Sequence, residues 1–357
     1  MESAQTVLIV KPSSIGDVVM ATPMAEALKR SCPTARLTWL VDDRCKDVIL
    51  GNPYVDEVLV WKRAGGLDGL RSTAGLVRAM RSRDLDVAID AQGLARSALM
   101  AYLSGAKRRV GFAGGREGSS LLYNVRVDCG PPPHDMKSNL KLLEALGVAP
   151  DAISSNMLFP LTEDDLRGAR ELLVSAGAQQ TCSIAALAPA TTRPNKHWVE
   201  SRWSELADAL HSRFGLTPVF LGSGSSAEMV ERIRSQSHVP TVSLVGATTL
   251  KLAGAVIRTA RLAVAVDTGL MHISVALGVP TVAIFGATSA WLNHAERPSF
   301  AVVRKDFPCA PCRKKVTCEN VDCMLAVSVD DVAEAAARLL DARPAADRNG
   351  KKSGAQC

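Results

Sequence analysis

Aromatic side chains are scarce: Phe, Trp and Tyr make up 4% of the 357 residues, with only 3 tyrosines. Basic and aromatic residues are not interleaved, so nucleic-acid binding by base stacking is not expected. No apolar run approaches the ~18 residues needed to span a bilayer. Neither sign of charge dominates, with 42 Lys/Arg against 36 Asp/Glu and a net charge of +6. The phosphate-loop pattern G-x-x-x-x-G-K-[ST] is missing, and no short repeat recurs. The opening MESAQTVLIVKPSS has an acid at Glu2, no basic stretch before its apolar residues and no small-residue cleavage site. It is expected to be a first strand, not a signal peptide, which makes the expected location cytoplasmic. In that compartment the 9 cysteines are expected to be reduced or metal-bound. What is present is ordinary for a soluble globular protein, 47% apolar and 22% charged, and the length suggests two domains.

Short apolar, β-branched runs alternate with longer amphipathic stretches from end to end. The strands predicted in the first half are 7–11, 37–41, 58–61, 87–90 and 109–112. Those in the second are 183–188, 218–221, 242–245, 262–266 and 281–285. Runs that are apolar throughout suit parallel strands covered on both faces. Helical patterns fall at 24–30, 70–83, 137–146, 203–213 and 229–234, with a closing helix at 327–340. Gly147, Pro150 and Pro160 punctuate a break at 148–163. The predicted fold is α/β, two doubly wound, Rossmann-like domains facing a cleft at the carboxyl ends of their strands. Residues 60–130 hold 12 Lys/Arg and 6 Asp/Glu, so the whole basic surplus lies there. Part of it reads as a solvated helix face (Arg71, Arg78, Arg81 and Arg83), and the rest suits an acidic ligand.

Four segments carry chemistry. Lys11-Pro12-Ser13-Ser14-Ile15-Gly16-Asp17 leaves the first strand and offers backbone N–H groups, hydroxyls and one carboxylate at the sheet edge. Asp17 is equally explained as a cap or first-turn acid of the following helix. Thr191, Thr192 and Lys196, in ATTRPNKHW, suit a diphosphate, or else form a turn before a helix. Asp267-Thr268-Gly269, with His272 beyond, ends a strand and opens a helix whose N–H groups can face an anion. There Asp267 can instead be a cap and His272 a core residue. Cys309, Cys312, Cys318 and Cys323 form C-x2-C-x5-C-x4-C, which can wrap a zinc or iron ion or be free buried thiols. Gly222-Ser223-Gly224-Ser225-Ser226-Ala227 fits a dinucleotide pattern formally but lacks the acid that would hold a ribose.

Together, VKPSSIGDVVMATP, IDAQGLARSA, REGSSLLYN, ATTRPNKHW and VDTGLMHISVALGVP resemble the ADP-heptose:lipopolysaccharide heptosyltransferases of glycosyltransferase family 9. ATTRPNKHW with DAQGL is closest to the heptosyltransferase I branch, while the cysteine cluster resembles the heptosyltransferase II branch. After Phe285-Gly286 the family usually reads Pro-Thr-Asp-Pro; here the residues are Ala287-Thr288-Ser289-Ala290. The resemblance implies a GT-B architecture with an acceptor domain at 1–155, a nucleotide-sugar domain at 156–342 and a flexible tail at 343–357. It implies inverting transfer of heptose from ADP-heptose to a Kdo-lipid A-type acceptor, with no cofactor for catalysis and transient contact with the cytoplasmic face of the inner membrane. Asp17 then matches the general base, and Lys196, Thr191 and Thr192 hold the diphosphate. Glu228, Asp267, Thr268, Gly269 and His272 frame the nucleotide. Ser14, Gly16, Lys62, Arg63, Gln92, Arg116 and His134 gather around the acceptor. The alternatives are a heptosyltransferase II-type enzyme, another nucleotide-sugar transferase, and a non-catalytic or metal- or redox-sensing cleft protein.

Overall fold

The computed structural model describes residues 6–63, 65–130, 136–178, 183–288, 297–310, 312 and 321–342. The chain divides into two units, Met1–Pro160 and Leu161–Cys357. The division lies at Pro160, a little beyond the expected 155, and the proposed tail 343–357 is outside the described residues.

In the first unit the strands are β1 (Thr6–Val10), β2 (Arg36–Asp42), β3 (Glu57–Trp61), β4 (Val87–Asp90), β5 (Arg108–Phe112) and β6 (Val125–Val127). Its helices are α1 (Ile15–Ala21), α2 (Pro23–Ser31), α3 (Gly66–Arg81), α4 (Ala95–Leu103) and α5 (Met136–Glu144). All strand pairs are parallel, in the order β3-β2-β1-β4-β5-β6. Strand order reverses between β1 and β4, so the loops leaving these neighbours turn to opposite faces and leave a crevice at the carboxyl edge. Val10 pairs with Leu40 on one side and Asp90 on the other, which brings Lys11, Asp42 and Ala91 to that edge.

The second unit repeats the plan. After α6 (Glu163–Ser175) come β7 (Ile184–Ala188), α7 (Glu200–Phe214), β8 (Thr217–Phe220), α8 (Ala227–Ser235) and β9 (Val242–Ser243). Then follow α9 (Leu250–Thr259), β10 (Leu262–Val266), α10 (Gly269–Ala276), β11 (Thr281–Ile284), β12 (Phe300–Val303), α11 (Asp322–Leu325) and α12 (Val329–Asp341). The order β12-β11-β10-β7-β8-β9 places the reversal between β10 and β7. The core is the apolar strand faces with Trp203, Leu206, Leu210 and the inner side of α12. Trp198 stacks edge-on to Trp203, with centroids 5.3 Å apart, and its indole N–H donates to the Val327 carbonyl at 2.9 Å. Ser328 and Asp331 cap α12 reciprocally, and Lys305 holds the Asp331 carboxyl at about 2.

The ten expected strands form, and two were missed. β6 is three residues with exposed Arg126 at its centre, and β12 is a four-residue edge strand, so neither carries the continuous apolar signal. The 242–245 run gives only a two-residue strand, because the chain turns at Gly246 (φ +74°) against Gly224. Arg71, Arg78 and Arg81 are solvated on α3 as expected, whereas Arg83 lies past its end and pairs with Glu57. Among the described residues no helix is long and apolar enough to cross a membrane.

Gly111 pairs with Asp90 across β5 and β4, and the Tyr123 ring lies over the space a β-carbon would fill, 2.3 Å from its ideal position. That gap lets the Tyr123 hydroxyl reach Asp90 at 2.6 Å. Gly111→Ala should therefore displace the ring and destabilise the protein by about 1–3 kcal/mol, the usual cost of overpacking. Denaturant unfolding of the variant beside the parent checks this.

Candidate active site

At the reversal point of the first unit, Ser14 is the N-cap of α1 and Asp17 its third residue. Asp17 Oδ2 accepts from the Ser14 backbone N–H at 2.9 Å and from its hydroxyl at 2.8 Å. The helix-capping reading of Asp17 is thus realised, and it fixes the carboxylate at the sheet edge. Gly16 is buried within α1. Gln92 crosses from the loop after β4: its Oε1 accepts from Ser13 N–H at 3.2 Å. The next residue, Gly93, accepts from the Arg116 backbone N–H at 3.0 Å. The structure therefore brings together Ser13, Ser14, Asp17, Gln92 and the start of the 116–122 turn.

A residue not singled out beforehand lies beneath them. Lys11 is fully buried and its ammonium donates to the Ala91 carbonyl at 2.6 Å. Desolvation pulls its pKa down, opposed by the negative charges of Asp17 and Asp90. Asp90 is buried as well and accepts from Tyr123, Ser97, Gln92 and Gly93. An apolar run ending in Lys, beside a second ending in Asp, was the available signal.

Lys62 and Arg63 line a separate cavity of about 560 Å³ with Asp42, Asp43, Arg44 and Arg96. Buried Asp42 binds Arg44 at 3.1 Å and also binds Arg63. Burial pushes the Asp42 carboxyl up, but the two guanidinium partners outweigh it and hold it below the ordinary range. With four cations and two acids, the cavity suits an anion. His134 lies outside the described residues.

At the reversal point of the second unit, the loops after β7 and β10 meet. Lys196 Nζ is 2.6 Å from Asp267 Oδ2, and the same oxygen accepts from the Thr288 hydroxyl at 2.6 Å. His272, buried on α10, places Nε2 4.0 Å from Asp267 Oδ1. The Thr191 hydroxyl donates to the Asp267 carbonyl at 3.3 Å, and His197 holds the Thr191 backbone. Burial pushes the Asp267 carboxyl up, but Lys196, His272 and the hydrogen bonds outweigh it and keep it below the ordinary range. Thr268 stands at the N-cap position of α10 without a side-chain capping bond and Gly269 begins the helix, which leaves their edge rich in N–H groups. The departure at 287–290 keeps a threonine in second place, and that threonine is the Asp267 partner. Thr192 and Glu228 are exposed and make none of these contacts.

The metal reading of the cysteines finds no support. Among the described residues no group of His, Cys, Asp or Glu is placed to hold an ion. Cys309 is exposed, Cys312 half-buried and Cys323 buried, while Cys318 lies outside the described residues. Two of them serve packing: Cys312 N–H donates to the Ala287 carbonyl at 2.7 Å, and Cys323 sits where a Gly286 β-carbon would fall. The short Ser223–Ser226 turn likewise answers a packing need, with Ser226 filling the space beside Gly222.

Residues 73–321 match the model of glycosyltransferase family 9 (heptosyltransferase). The chain belongs to that family. Lipopolysaccharide heptosyltransferase 1 of Pseudomonas aeruginosa is 31% identical over 327 residues, which is 87% of each chain. A family 9 glycosyl transferase from Veillonella parvula superposes with a TM-score of 0.83 at 22% identity, covering 95% of this chain and 98% of the other. The E. coli ADP-heptose lps heptosyltransferase II superposes at 0.75 and 21% identity, over 94% and 98%. Family 9 membership makes the chain a glycosyltransferase of two-domain GT-B architecture, and its likeness runs toward the heptosyltransferase 1 branch.

Within this family 9 chain the Lys196–Asp267 pair is largely buried, at 15% and 13% exposure. The folded pKa of Asp267 lies below its ordinary 3.8, so its stabilisation is present at neutral pH and fades as pH falls through the folded value. Asp267→Asn should cost about 3 kcal/mol at neutral pH. The gap from the parent should close in acid, as read by unfolding at a series of pH values.

Proposed function

We propose that the protein transfers heptose from ADP-heptose to the Kdo region of the lipopolysaccharide inner core, with inversion at the anomeric carbon. The observation that carries this reading is the Lys196–Asp267–Thr288–His272 cluster at the strand reversal of a family 9 chain. An ammonium has three donors, and Asp267 engages one, which leaves directions for phosphate oxygens. In this reading Lys196, Thr191, Thr192 and the N-terminus of α10 stabilise charge growing on the departing diphosphate. Asp267, His272 and Glu228 frame the nucleotide.

Asp17 takes the proton from the acceptor hydroxyl as that oxygen attacks. Its carboxylate is already oriented by Ser14, so little ordering is left for the reaction. Gln92 is held at the same sheet edge by Ser13, the Arg116 backbone is tied to Gly93, and the cationic cavity of Lys62, Arg63, Arg44 and Arg96 takes acidic groups of the acceptor. In this reading water is kept from the reacting sugar during transfer. A lipid acceptor places the enzyme at the cytoplasmic face of the inner membrane during turnover. No step in this scheme calls for a metal.

A donor screen of ADP-heptose against UDP- and GDP-sugars, with a Kdo-bearing acceptor, tests the reading. Selective turnover of ADP-heptose is expected, and turnover of another sugar nucleotide alone would overturn it. Asp17→Asn should lose about 10²–10⁴-fold in kcat, or about 3–5 kcal/mol of barrier, with donor binding intact. Lys196→Ala should weaken donor binding and turnover together, as separate titration and kinetics would reveal.

A further inference from the structure

Asp42 ends β2 with its side chain 4% exposed, and the two arginines it binds grade outward, Arg63 at 28% and Arg44 at 77%. Taking a carboxylate out of water costs free energy that an apolar side chain in the same place would not. Capping accounts for part of its presence. Asp42 Oδ1 accepts from the Arg44 backbone N–H at 3.1 Å, which closes the 43–48 turn. An asparagine oxygen would cap the turn equally well, so that bond explains neither the charge nor the second oxygen.

The second oxygen belongs to Arg63, whose Nε and one terminal nitrogen both reach Asp42 Oδ2. The first oxygen also takes Arg44 Nε at 3.1 Å. Burial disfavours the charged form of Asp42, but the bonds from Arg44 and Arg63 outweigh it, so the carboxyl is ionised at neutral pH. Sheet register makes the convergence possible, because Asp42 pairs with Trp61 where parallel β2 and β3 end. Arg44 and Arg63 each stand two residues beyond that common level. Trp61 supplies a second wall, its ring centroid 6.0 Å from the Arg63 guanidinium carbon. Among the described residues, Asp42 and Trp61 are the only partners of these two guanidinium groups.

A guanidinium carries five N–H donors. Arg63 directs Nε and one terminal nitrogen at Asp42, and Arg44 directs Nε alone, so each keeps N–H groups for the cavity that both line. The other acid of that cavity is engaged elsewhere: Asp43 pairs with Lys46 at 2.9 Å. A loose arginine must give up rotamer freedom when it grips a ligand, whereas one already held has lost it on folding.

We propose that Asp42 is a positioning residue for acceptor binding: its buried carboxylate holds Arg63 and Arg44 as a pre-set pair of guanidinium forks, whose remaining N–H groups receive an acidic group of the acceptor. The assignment rests on the reading of this cavity as the acceptor's. A carboxylate that merely neutralised the arginines would act in the opposite sense, since removing it would leave the cavity more cationic and tighten its hold on an anion.

Steady-state kinetics of the full-length chain with ADP-heptose and a Kdo-bearing acceptor test this. Asp42→Asn keeps the cap and loses the charge; Asp42→Glu keeps the charge and moves it by one methylene. Each should raise the acceptor KM about tenfold, the advantage of ordering a long side chain beforehand, with kcat and the ADP-heptose KM within about twofold of the parent. Both variants should unfold close to the parent temperature. In an Arg63→Ala background, itself raised in acceptor KM, Asp42→Asn should add nothing further. An acceptor KM at or below the parent's in either folded Asp42 variant, with Arg63→Ala impaired, overturns this assignment alone. So does an equal change in kcat or in the ADP-heptose KM. Failure of both Asp42 variants to fold makes the residue structural and overturns the assignment too. A parental acceptor KM in Arg63→Ala instead overturns the cavity reading, and this assignment with it.

Discussion

The reversal of strand order inside each parallel sheet is the constraint from which the rest follows. Parallel strands need crossovers, and right-handed crossovers on opposite faces force two neighbouring loops apart at one point only. In the first unit that point lies between β1 and β4, and in the second between β7 and β10. The Ser14–Asp17, Gln92, Lys196 and Asp267 segments each leave one of these four strands. Backbone N–H groups at the following helix starts then come with the topology and require no special sequence beyond a small residue or a cap.

The two edges solve the same electrostatic problem in different ways. In the second unit cation and anion touch, Lys196 on Asp267, and a threonine and a histidine complete the shell. In the first the charges are held apart: Lys11 is tied to a neutral carbonyl, and Asp90 is held by hydroxyls and amides. Contact concentrates the field locally, whereas in the first unit burial works against both charged forms, lowering the Lys11 pKa and raising that of Asp90. Both arrangements depend on burial, because water would screen either.

The apolar strands and most helices were legible because their signal is local: a run of β-branched residues or a 3.6-residue period. The edge strands β6 and β12 were not, since strands so short are defined by their neighbours. The same divide separates the site residues. Asp17 with Ser14 is a three-residue relation and could be read directly. Lys196 with Asp267 spans 71 positions, and Tyr123 with Asp90 spans 33; only the completed sheet makes them partners. The roles of Thr288 and Lys11 were hidden for that reason. The cysteine spacing suggested a ligand set that finds no support among the described residues, where the Cys312 N–H bonds the Ala287 carbonyl and Cys323 packs beside Gly286.

Trp198 stands two residues after Lys196 and hangs by its indole from the Val327 carbonyl, while Arg202 grips the carbonyls of Leu325 and Val327 at 2.5 Å each. The segment that follows Lys196 is therefore moored to the 325–327 carbonyls. A ribosome that has released everything up to β12 has made all six strands of this sheet but not the anchorage of the segment after Lys196. That anchorage arrives with α11 and the residues just after it, so a product terminated at β12 would be folded in outline yet slack at this edge.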